Sequence, residues 1–357
     1  MERANAGPGA PRPLVVRVPV EPVEAAIEAD AVDAATSADG LMVRGPLFGV
    51  ARQGPEDGIR WRVVVSVTSG CPQVSRDSLQ SLLWFRAKDE ARDRAERRAL
   101  LAAVARLETD YVDEVTVEDT RYRVLRAEEY AGAGPGGIEP PRPTDPEPLT
   151  PDWSLQASEP SIDADLVLDP DAPVTPTQAL EQLCLHDLRY TGERFPEEVL
   201  ADSARAVTTH PDILLLPPTF SVVERTDGGW RGAGGSHATA HAARRGLEFS
   251  LLWAWPRIRG LIPIESDPKT SARNPPADSP AAAELAVYAE AAERLRAGVR
   301  VNRLEVGDTV YQIARTRRLL RWGPDGPEGP RPSDVNGQEP MRMHPPMDED
   351  GNVLPEH

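Results

Sequence analysis

The sequence predicts an α+β fold made by tandem internal duplication of a helix, strand-pair, long-helix and hairpin unit, with the two copies in a pseudo-twofold arrangement. Three gapless blocks, met twice in the same order, lead to this. ADAVDAATSADGLMVRGPLFGV at 29–50 matches ADSARAVTTHPDILLLPPTFSV at 201–222, with Asp30/Asp202, Ala34/Ala206, Pro46/Pro218 and Phe48/Phe220 among the identities. Trp61-Arg62 and Ser81-Leu82-Leu83-Trp84 recur at unchanged spacing as Trp230-Arg231 and Ser250-Leu251-Leu252-Trp253. Residues 112–145 match 301–334 at 14 of 34 positions, where composition alone gives about two or three. The strings GPGGIEPPRPTD and GPDGPEGPRPSD therefore close two related units rather than serve as spacers.

The elements of each unit follow from local pattern. Glu21 to Ser37 is alanine-rich and predicts a helix, and GLMVRGPLFGVARQ predicts a strand interrupted near Pro46. The second unit repeats this with PEEVLADSARAVTTH and DILLLPPTFSVVER. WRVVVSVT is a strand because β-branched residues dominate it. Leu79, Leu82, Leu83, Leu100, Leu101, Val104 and Leu107 then recur at helical spacing, predicting one long helix with a solvent-facing charged middle. In the second unit this helix is split, and its later part is punctuated by Ser279 as N-cap, Pro280 and Gly298. VTVEDTRYRVLR and LEVGDTVYQIAR are hairpins turning at Glu118-Asp119 and Gly307-Asp308. Tyr122, Val124 and Arg126 share one face, as do Tyr311, Ile313 and Arg315, and the face packs on a helix with tyrosine and arginine tips at its rim.

Five segments result: an N-terminal extension at 1–20, a first unit at 21–145, an acidic proline-rich linker with a short helix at 146–193, a second unit at 194–334, and a disordered acidic tail at 335–357. The net charge of −17 concentrates outside the units: 146–193 carries ten acids against one base, and 335–357 five against one. An anionic partner of the units is thus not excluded by charge. No apolar run reaches the length of a membrane span, which predicts a soluble cytoplasmic protein without a membrane partner. Cys71 and Cys184 form no CxxC and predict buried free thiols.

Chemistry-bearing patterns are few. Trp61, Arg62, Arg126, Trp230, Arg231 and Arg315 recur in both units and could line a pocket for an anion gripped by guanidinium forks. His237 and His241 lie four apart, the spacing that would put both on one helix face beside a metal, although no HExxH accompanies them. GGWRGAGGSH has phosphate-loop glycines but aligns with the strand VVVSV and lacks GxxxxGK[ST]. ARTRRLLRW at 314–322 is a basic stripe without a second one, so nucleic acid is not favoured as a partner. No GxSxG, SxxK or Cys/His set supports a catalytic residue, and no cofactor is identified.

Alanine-, arginine- and proline-rich composition with the closing string GPDGPE-PRPSD resembles an uncharacterised bacterial family with no assigned activity. The retained polyproline straps and tandem aromatic residues predict a non-enzymatic interaction or regulatory protein that binds another protein. The alternative is a small-molecule binder or enzyme with one anion or metal site at the junction of the units.

Overall fold

The computed structural model describes residues 12–354 except Leu155, Gly228 and Ala277; residues 1–11 of the N-terminal extension and 355–357 of the tail lie outside the described residues. The chain is α+β, with helices packed on an antiparallel sheet. The first half runs α1 (Pro22–Ser37), β1 (Gly40–Gln53), β2 (Trp61–Ser69), α2 (Pro72–Asp89), α3 (Arg94–Thr109), β3 (Glu114–Val117), β4 (Thr120–Gly134) and β5 (Gly137–Ile138). Between the halves lie β6 (Val167–Leu168) and α4 (Pro176–Leu185). The second half runs α5 (Glu197–Thr209), β7 (Asp212–Thr226), β8 (Gly229–His237), α6 (Ala240–Phe249), a π-helical stretch (Ser250–Ala254), α7 (Trp255–Ile258), α8 (Ala282–Ala297), β9 (Arg303–Val306), β10 (Thr309–Gly323) and β11 (Gly326–Pro327).

One sheet carries all of these strands in the order β6-β2-β1-β4-β10-β7-β8, with β3 and β5 on β4 and β9 and β11 on β10. Its centre is the antiparallel contact of β4 with β10, where Tyr130, Glu129, Glu128 and Ala127 oppose Arg317, Arg318, Leu319 and Leu320. Glu129 and Arg318 occupy the same position when 112–145 is aligned with 301–334, so the central contact is symmetric about that pair. Helices α2 and α3 lay Leu79, Leu83, Leu100 and Leu107 on Val50, Val115 and Tyr122. In the second half α6 and α8 lay Leu247, Leu285 and Leu295 on Phe220, Val222 and Ile313. Each such side chain contributes about 1.5–3 kcal/mol by leaving water.

Several local expectations change. The single long helix of the first half is two helices, because the Asp93 side chain accepts from the amides of Ala95 and Glu96, both at 2.9 Å, and so caps a new start. β1 is continuous through Pro46, with register shifts at Val43/Gly45 against β4 and at Phe48–Ala51 against β2. α8 begins at Ala282, and Ser279 bonds the amide of Ala281 instead of capping the helix. Cys184 is exposed and Cys71 half-buried, its sulfur accepting from the amide of Gly337. Within the tail at 335–357, for which the sequence predicts disorder, residues 335–354 lie against α2 and α3: Gln80 and Trp84 donate to the carbonyls of Met341 and Pro345, His344 stacks on Trp84, and Arg98 pairs with Glu349.

The segment between the halves is not a solvated spacer. Its acids are counter-ions for the sheet and helices: Asp163 pairs with Arg318, Glu181 with Arg317, Glu147 with Arg244, and Glu159 with Arg245 and His237. Asp163 and Glu181 thereby balance two arginines of β10.

Ionisation ties the fold to pH. Burial pushes Glu128 up, but Arg126 and Arg331 more than reverse this and hold its carboxyl below the usual glutamate range. Burial likewise raises Asp202, and its bonds from the Ser333 amide and hydroxyl outweigh that, leaving it lowered. His210 is lowered from 6.5, chiefly by burial. Lowered carboxylates stabilise the fold above their unfolded pKa and lose that contribution as pH falls, and a lowered histidine acts in the same sense because the unfolded chain takes up its proton first. Melting temperature should therefore decline steadily from about pH 6.5 to pH 3, with His210→Gln removing part of the loss above pH 5. A flat profile over that range would contradict these assignments.

Candidate functional site

The closing straps set the geometry of everything near the junction. Each leaves its own half and bonds the other. The amide of Arg126 donates to the carbonyl of Glu328 at 2.9 Å, and that of Arg315 to Glu139 at 2.8 Å. Asp334 accepts from Arg126 at 2.9 Å, and Asp145 from Arg315 at 3.0 Å. At the far end each strap is held by its own half's first helix or that helix's counterpart: Asp30 accepts from the amide of Thr144 and Asp202 from that of Ser333, both at 2.9 Å. Arg126 and Arg315 are thus not at a rim, where the hairpin pattern put them, but 2% and 7% exposed beneath the straps. A guanidinium so placed needs the strap carboxylate, because a buried charge is tolerated only when paired.

The other sequence-predicted residues separate. Trp61 is fully buried among Ala51, Leu125, Leu168 and Trp322, under Arg121 and Arg123. Trp230 is half-buried against Ala131, Ile138 and Ala314. Four strands, β1, β4, β10 and β7, lie between β2 and β8, so the two tryptophans do not line a common pocket. Arg62 pairs with Asp57 at 2.9 Å and Arg231 with Glu224 at 2.5 Å, both near the surface. His237 ends β8 and faces Glu159 at 3.1 Å, whereas His241 sits on α6 and is bonded by Nε2 to the Asp152 carbonyl at 2.9 Å. They do not share a helix face, since α6 starts only at Ala240, and no metal-sized cluster of three ligands occurs among the described residues. GAGGS forms β8, a strand rather than a phosphate loop. The stripe 314–322 is not a nucleic-acid surface either, with Arg315, Arg318 and Arg321 buried.

Beside the first of the straps lies a cavity of about 590 Å3. α1 supplies Asp33, Ala34 and Ser37; Gly132, Gly134, Ile138 and Pro140–Pro143 supply the floor and side; and the second half contributes Asn302, Arg303 and Gln312. The walls are mainly apolar or glycine backbone. Gln312 is 4% exposed; its Nε2 donates to the carbonyl of Ile138, while its Oε1 has no partner. That oxygen lies close over Gly137: a Cβ there would be 2.6 Å from Oε1 and 2.8 Å from Trp230, and φ is +116°, so only glycine fits. At the mouth Asp33 and Arg303 are exposed, and neither has an ion-pair partner among the described residues.

The aligned positions of the second half carry larger side chains. Gly132 aligns with Arg321, which donates to the carbonyls of His186 and Leu188, and Ala38 aligns with His210, packed beside Gly323. Gln312 aligns with Arg123, whose longer side chain reaches the Pro327 carbonyl and pairs with Asp325. Glycine, alanine and glutamine thus stand where arginine, histidine and arginine stand opposite. Sequence reasoning missed Gln312; its signal was this exchange within an otherwise matching hairpin.

The site is thus a mainly apolar cavity with one unpartnered buried acceptor in its wall and exposed Asp33 and Arg303 among its lining residues. Residues 21–337 match a family of unknown function, DUF5954, and the chain belongs to it. No curated protein and no solved structure matches the chain. No helix among the described residues is long and apolar enough to cross a membrane.

Proposed function

We propose that the chain is a small-molecule-binding protein made of two diverged copies of one α+β unit, at 21–145 and 194–334, with a single ligand site where the copies meet. The duplication is supported by matched sequence blocks, by the symmetric contact at Glu129 and Arg318, and by straps exchanged through equivalent residues. The site reading is carried by one observation, the unpartnered Oε1 of Gln312 in a cavity whose aligned positions in the other half carry larger side chains. An unmet buried acceptor costs about 1–3 kcal/mol, and a ligand N–H or O–H would satisfy it. The volume of about 590 Å3 lies in the range of small-molecule sites. The ligand is therefore compact and mainly apolar, with a hydrogen-bond donor at its buried end.

Thermal unfolding against a panel of phenols, amides, amines and nucleosides tests this. At tenfold its Kd a ligand adds about 1.4 kcal/mol, and Gln312→Met, by weakening binding about tenfold, should cut this to about 0.4 kcal/mol while leaving the unliganded melting temperature within about 2 °C. Binding of another protein is the second reading, favoured by the exposed run Val18, Val20, Val23 and Ile27. It gains if the panel is flat and the run, carrying Val20→Glu and Val23→Glu, no longer retains a partner kept by the unaltered chain.

A further inference from the structure

We infer a second binding site, separate from the cavity under α1, that takes an alkyl amine. Between β6, α4 and the Ile213 end of β7, two cavities of about 670 and 360 Å3 adjoin, sharing Arg12, Leu14, Gln182, Ile213 and Leu214 in their walls. They are two lobes of one space. The larger lobe is lined by Leu166, Leu168 and Leu216, and the smaller by Val16, Ala179 and Leu183. The extended segment carrying Leu14 and Val16 forms one wall and is held by the parallel bridge of Val16 to Val174.

Two polar atoms in the smaller lobe lack partners. Gln182 is 7% exposed and its Oε1 is unbonded, and the Nε2 of His186 is buried and unbonded. They stand four residues apart along α4 and its C-cap, so both face the same way. The Nδ1 of His186 lies 2.8 Å from a carboxylate oxygen of Asp187, which assigns the ring proton to Nδ1 and leaves Nε2 an acceptor. The lobe therefore presents two buried acceptors that no donor of the chain satisfies. A primary ammonium, which has three donors and no acceptor, complements that pair.

Charge at the walls points the same way. Asp169, Asp171 and Asp212 line the space against the single cation Arg12, which pairs with Asp171 at 2.9 Å and Asp212 at 3.3 Å. Acids in excess attract an ammonium and repel a carboxylate of the same chain length. The aliphatic lobes then accept the alkyl tail.

Isothermal titration of the full chain with dodecylamine and with dodecanoate, both kept below their micellar concentrations, tests the site. One equivalent of dodecylamine should bind at least tenfold more tightly than dodecanoate. Gln182→Met and, independently, His186→Phe should each weaken it about tenfold, the size of one lost hydrogen bond. Circular dichroism of both variants checks that they fold. Equal binding of the two amphiphiles, amine binding indifferent to both α4 substitutions, or no amine binding would each overturn the inference.

Discussion

Asp163→Asn should lower the unfolding free energy by about 3–5 kcal/mol, read as a fall in the urea midpoint at unchanged slope. Arg318 and the Asp163 side chain are both fully buried, paired at 2.6 and 2.8 Å, with the guanidinium also reaching the carbonyls of Val67 and Pro217. Removing one charge of such a pair leaves the other without compensation in a dry site, which costs more than the pair contributes. Asparagine isolates the charge effect, because Asp163 has φ of +60° and asparagine adopts that region readily. Adding Arg318→Met to Asp163→Asn should recover part of the loss, because no unpaired charge then remains. A cost below about 1 kcal/mol for Asp163→Asn would show that water reaches the pair.

The second large effect concerns the straps. Asp145→Ala should cost about 3–4 kcal/mol and Asp334→Ala about 2 kcal/mol. The difference follows from what each arginine keeps. Arg126 retains Glu128 at 2.6 Å when Asp334 is removed, whereas Arg315 retains only Glu139 at 3.6 Å when Asp145 is removed. Burial already lowers Arg315, with Asp145 the main opposing influence, whereas Arg126 is raised, because burial is outweighed by Glu128 and Asp334. Hydrogen exchange should rise in residues 134–145 of the first variant and 323–334 of the second. Equal costs, or unchanged exchange in the straps, would show that the carboxylates do not hold them.

Local elements were legible because local chemistry determines them. The hairpin turns at Glu118-Asp119 and Gly307-Asp308, and the Thr175 cap that opens α4, are read directly from turn and cap residues. The break at Asp93 was hidden because helical spacing continues across it and only the cap bonds of its side chain end one helix and start another. Arg126 and Arg315 were placed on the right hairpin face but at its edge, since their burial depends on straps arriving from the opposite half. The acidic linker hid its pairings for the same reason: the partners of Glu181 and Asp163 lie on β10, more than a hundred residues away. Gln312 and its cavity exist because Gly132 and Ala38 are small where Arg321 and His210 are large, a difference that acquires meaning only once the helix, strand and strap are seen to converge.

The most direct test of a ligand site in one half fills that site with what the other half carries. Gly132→Arg copies Arg321, and the new Cβ would lie 3.3 Å from the Glu139 carboxylate, which already pairs with Arg142 and Arg317. Thermal unfolding of this variant and of the unaltered chain, over the same ligand panel, should give a shift in the unaltered chain that the variant lacks, with the variant itself as stable as the original. A shift that persists in Gly132→Arg, or a panel that stabilises neither protein, would contradict the account.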